Sequence, residues 1–174
     1  MQNTFEIQAG RPRTIGRYDP MDESLAEAFN TVFPMNAEAM MLIWNGIYVP
    51  INYKYDLGVM IDDVLLMCDR VLTSDDGQSR INWPSNTFDA TWSLTWEGGI
   101  ISIGAAWRSV SGNVVALLSS SLVLPVEDFV AEWKQPLRVC CDALVDAGYN
   151  VPGFPRFRAM KTTFDAIAKS GVLY

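Results

Sequence analysis

The stretch "TFDATWSLTWEGGIISIGAAWRS", Thr87 to Ser109, decides the fold. Phe88, Ala90, Trp92, Leu94 and Trp96 occupy every second position, with Asp89, Thr91, Ser93, Thr95 and Glu97 between them. A period of two is that of a strand with one apolar and one polar face. Gly98-Gly99 supplies a turn, after which Ile101, Ile103, Ala105 and Trp107 resume the alternation. This predicts an antiparallel hairpin with one aromatic face. A third strand is expected at about Val114 to Val123, beyond a Gly112-Asn113 turn, because consecutive strands tend to lie side by side in a meander.

Toward the N-terminus, Asn45-Gly46 sits between the apolar runs "MMLIW" and "IYVPI" and marks a second hairpin. Pro50 cannot donate to a ladder, so its strand is expected at an edge or a bulge. From Leu57 to Leu72, Met60, Ile61, Val64, Leu65, Cys68 and Val71 recur at helical spacing and leave Asp62, Asp63, Asp69 and Arg70 outside. "TSDDGQS" is expected to break that helix. "DPMDESLAEAFNTVFP" reads as a short helix capped by Asp19 and ended by Pro34. "PVEDFVAEWKQPLRVCCDALVDAGY" reads as the longest helix, with a kink or break at Pro136, and a last helix follows from about Pro155 to Ala168. The expected fold is α+β in a single domain spanning 1–174: an antiparallel sheet of meander plus hairpin, with helices packed mainly on one face.

Several chemistries are excluded by composition. The 174 residues contain no histidine, which removes Ser-His-Asp and Cys-His catalysis and histidine metal sites. The serines of "SVSG" and "LLSSSL" lack a glycine elbow, and no phosphate-cradling glycine signature occurs. Asp62-Asp63 and Asp75-Asp76 are not spaced as a calcium loop. Cys68, Cys140 and Cys141 show no metal-ligand spacing, and their odd number points to reduced thiols. No catalytic residue, metal or cofactor is therefore expected.

Charge is distributed unevenly. Residues 18–98 hold thirteen acids against three bases, whereas residues 150–174 hold four bases against one acid, within a net charge of −7. An acidic middle argues against direct nucleic-acid binding, which needs clustered Lys and Arg, and suits a basic protein partner. Trp92, Trp96 and Trp107 lack the clustered Lys and Arg of a single-strand binder and are expected in the core. The segment "MQNTFEIQAGRPRTIGRYD" has no apolar run of the kind a secretory signal needs, so a cytoplasmic location is expected. The longest uncharged run, Ser109 to Val126, is interrupted by Gly112, Asn113 and Pro125 and makes a poor membrane span.

Taken together, "WNGIYVPINYKYD", "MIDDVL", "WPSNTFDATWSLTW", "ISIGAAWRSV", "FVAEWKQPL" and "DALVDAGY" resemble a family of bacterial immunity proteins encoded beside contact-dependent or polymorphic toxins. The resemblance runs from about Ile43 to Tyr149. It implies a cytoplasmic, non-enzymatic protein that binds a cognate toxin domain, and the acidic segment suits a basic toxin such as a nuclease. Tyr53, Tyr55, Asp56, Asp62, Asp63, Asp69, Asp75 and Asp76 are the expected partner-binding residues. A secretion chaperone or adaptor that binds an extended effector segment is the alternative, since it also needs no catalytic groups.

Overall fold

The computed structural model describes residues 4–35, 40–110 and 121–170. The element order is β1 (Phe5–Gln8), α1 (Leu25–Val32), β2 (Met40–Trp44), β3 (Ile47–Ile51), a π-helical turn (Tyr53–Leu57), α2 (Gly58–Thr73), β4 (Asp76–Pro84), β5 (Phe88–Glu97), β6 (Ile100–Val110), β7 (Ser121–Pro125), α3 (Val126–Ala147) and α4 (Pro155–Ser170). The fold is α+β, with four helices and two antiparallel sheets. Asn45-Gly46 and Gly98-Gly99 close their hairpins with positive φ at both central residues, the backbone twist such turns require.

The two hairpins do not share one sheet, contrary to the sequence expectation. β1, β2 and β3 form a three-stranded meander, and β4 to β7 form a four-stranded one. β1 is only four residues long, too short to show its own period, yet it pairs Phe5 with Trp44 and Ile7 with Leu42. The sheets meet through side chains instead. Trp44 lies 5.3 Å from Trp92 and 5.1 Å from Trp107 between ring centroids, and Phe5 reaches Phe129 of α3 at 4.9 Å. Trp83 stacks toward Trp133 at 6.3 Å, which brings α3 onto the same cluster.

Trp44, Trp83, Trp92 and Trp133 are fully buried, and burying aromatic area of this kind is the largest single contribution to such a core. The indole N–H groups of Trp44, Trp83, Trp92, Trp107 and Trp133 have no oxygen or nitrogen acceptor among the described residues. Near-perpendicular packing, as in Trp44 on Trp107 at 87°, lets a ring edge meet a ring face.

Three local expectations are corrected. "TSDDGQS" ends α2 as expected but also opens β4, whose period was hidden by Gly77 and Ser79 at its first two inward positions before Ile81 and Trp83. The cap of α1 is Ser24, whose hydroxyl accepts from Glu27 N–H while the Glu27 carboxylate accepts from Ser24 N–H. This reciprocal box outcompetes Asp19, which forms a separate turn with Met21 and Asp22. α3 does not break at Pro136, which is buried within the continuous helix. Of the expected third strand, Ser121 to Val123 lie in β7, while its earlier residues and the Gly112-Asn113 turn lie outside the described residues.

β1 is an edge strand, and its free Ile7 N–H donates to Glu132 Oε2 of α3 at 2.7 Å. The carboxylate thus satisfies the backbone donor that would otherwise invite a further strand. Burial raises the Glu132 pKa above the usual carboxylate range, against the lowering effect of that hydrogen bond. On the four-stranded sheet, Ser93, Thr95, Ser102 and Gly104 lie on the exposed face.

Candidate functional site

The eight residues expected to bind a partner divide into two groups. The π-helical turn points Tyr53 and Asp56 inward and Tyr55 outward, so the first two are scaffold. Tyr53 is fully buried, stacks on Phe33 at 4.9 Å and donates its hydroxyl hydrogen to the Gly10 carbonyl at 3.0 Å. Asp56, 1% exposed, accepts from Asn52 N–H and from the Thr87 hydroxyl at 2.7 Å each, and from the Ser85 hydroxyl. Its bonding capacity is committed to fixing the turn. Asn52 completes the arrangement by accepting from the Lys54 and Tyr55 amides. The segment from Tyr53 to Asp56 is therefore a wound turn that launches α2, a conformation that an apolar and tyrosine-rich run does not announce.

The remaining residues are exposed. Asp62, Asp63 and Asp69 line the outer face of α2, and Asp75 and Asp76 follow it into β4. Val59 and Leu66, which join Tyr55 beside these acids, were not expected from the sequence. Tyr55, Val59 and Leu66 are 43%, 52% and 46% exposed, although their types favour burial. Val59 and Leu66 are seven residues apart, with Asp62 and Asp63 between them at helical spacing from both, so all share one face. That spacing was the available signal. The result is an apolar ridge flanked by carboxylates, a composition that a solvated helix does not need.

The acidic surface continues across the next hairpin. Asp76 stands directly opposite Glu97 in the β4–β5 ladder, both exposed, and like charges in that relation are destabilising. Trp96 holds the connection: its indole N–H donates to the Ser74 carbonyl at 3.1 Å, and a Cβ at Gly77 would overlap the same ring. Exposed Ile100 follows on β6, paired with Glu97. Acidic side chains beside exposed apolar ones thus recur from Tyr55 to Ile100.

Little reaction chemistry accompanies this surface. Cys68 and Cys140 are fully buried, and burial raises both thiols far above their ordinary value. Cys141 is pushed up to about 12 by burial, with Asp142 and Asp165 adding to the effect against Lys161. None is a thiolate near neutral pH. Among the described residues, no group of three potential metal-ligating side chains occurs, and no helix is long and apolar enough to cross a membrane. Comparison with known protein families, curated proteins and solved structures finds no match to the chain.

Proposed function

We propose that this protein is a non-enzymatic immunity protein that neutralises a basic toxin domain by seating it on the outer face of α2. The observation that carries the proposal is the exposed ridge of Tyr55, Val59 and Leu66 among Asp62, Asp63 and Asp69. Aromatic and aliphatic anchors supply buried area on binding, and the surrounding acids steer a basic partner and hold its Lys and Arg side chains. The resemblance of the chain to immunity proteins supports the same reading, and a bacterial cytoplasmic location is part of the proposal. A nuclease is the favoured toxin class, because enzymes that grip an anionic backbone present the complementary positive surface.

The test is to express the toxin domain encoded beside this chain, with and without it, and follow growth. Restored growth together with a complex containing the folded toxin domain supports the proposal. A complex formed only with an extended effector segment would instead establish the chaperone reading. Growth arrest that co-expression leaves unchanged counts against immunity.

A further inference from the structure

The opposite charge gathers elsewhere on the molecule. Ala131, Lys134, Arg138, Asp142 and Val145 recur at helical spacing along one face of α3. Two hollows, of about 540 and 680 Å³, lie along this face and share Arg11, Arg138 and Asp142. The first is rimmed by Lys134 and Arg138, while the second is floored by Val151, Phe157 and Phe164 and adds Lys161. Arg138 lies over the Phe164 ring at 5.8 Å, and Arg11 bridges to Asp142, so these two arginines are held in place along the groove. Val145 is 57% exposed at its apolar end.

We infer that this groove is a second binding surface, receiving a protein segment that carries carboxylates at one end and apolar side chains at the other. Three features select that occupant. Lys134, Arg138 and Lys161 form a basic group within a chain of net charge −7, which marks an anionic ligand. The apolar floor would stay uncovered under a small inorganic anion. Asp142, paired with Arg11, and Asp146 line the second hollow, where they disfavour a continuous phosphodiester backbone, while Asp146 can accept from a peptide amide. From Ala131 to Val145 the helix rises about 21 Å, the reach of about six extended residues.

The surface is separate from the α2 ridge, so either can fail without the other. The probes are two fluorescein-labelled peptides of about six residues, glutamates then leucines and the reverse order, followed by anisotropy at low salt. Saturable binding by at least one peptide is expected, weakened about tenfold or more by Arg138→Glu, by Val145→Asp, and by glutamine in place of the peptide's glutamates. Asp62→Lys should leave it unchanged. Both groove positions are exposed, and thermal melting checks that the variants fold; Lys134→Gln replaces either one that does not. No saturable binding by either peptide overturns the inference. So does binding insensitive to Arg138→Glu, or sensitive to it but indifferent to Val145→Asp, which would be a plain anion site. Tighter binding of a single-stranded RNA of like length also overturns it, in favour of nucleic acid.

Discussion

The Thr87 hydroxyl donates to Asp56 Oδ1 at 2.7 Å, tying the π-helical turn before α2 to the β4–β5 connection across 31 residues of sequence. The other oxygen of the carboxylate accepts from Asn52 N–H. Met60, Ile61, Val64 and Cys68 seat α2 on the core, and the turn that launches it is tied down by this one side chain.

Removing it should therefore destabilise the whole protein. Asp56→Ala removes the acceptor of one part-buried amide and two hydroxyls, and a loss of about 1 to 3 kcal/mol is expected in urea unfolding. Asp56→Asn keeps an acceptor and should lose less. A loss below about 0.5 kcal/mol for the alanine variant would show that the turn is held by its own winding.

The aromatic cluster makes a second demand. Trp92 touches Phe5, Trp44, Trp83, Phe88 and Trp107, and is fully buried. Trp92→Ala should cost about 3 to 5 kcal/mol. The unfolding midpoint measures this directly, and a variant of unchanged midpoint would place the indole outside the core.

These two residues also show what the sequence discloses. Trp92 lies in a strand whose period of two was visible over ten residues, and its burial could be read directly. Asp56 lies in a turn held locally by Asn52 and, at 29 and 31 residues' distance, by Ser85 and Thr87, and local sequence carries no record of the distant pair. The same distinction separates the α2 acids, legible from helical spacing, from β1, whose place depends on pairing with Trp44 far along the chain. Val59 and Leu66 were legible in principle, but apolar residues on a helix are read inward by default.

Glu132 predicts a pH dependence. Its native pKa is raised from 4.5, chiefly by burial, so the native state holds the proton more tightly than the unfolded state does. Protonation consequently favours folding: this contribution is fully present below the unfolded value and is lost as pH rises through the raised native value. Glu132→Gln retains an acceptor for Ile7 N–H and abolishes the titration. Urea unfolding at pH 7 and near pH 4.5 should show the parent gaining stability relative to Gln as pH falls. A constant difference would contradict the assignment.

The thiols predict a labelling pattern. In the native protein at pH 8, Cys141 should react slowly with a thiol reagent while Cys68 and Cys140 stay protected, and unfolding should release all three. Rapid native labelling of Cys140 would mean that α3 opens locally.

The central claim, that the outer face of α2 seats a basic toxin domain, is tested most directly by association kinetics. The measurement compares the parent with the Asp62→Lys, Asp63→Lys, Asp69→Lys triple variant against a toxin domain that the growth test identifies as the partner, at low and high salt, after thermal melting shows that the variant is folded. The ridge predicts an on-rate reduced about tenfold or more at low salt, with the difference shrinking by about 0.5 M salt as screening shortens to a few ångström. A folded triple variant that associates as fast as the parent and still protects growth would contradict the account and leave the acidic face as a solvated surface.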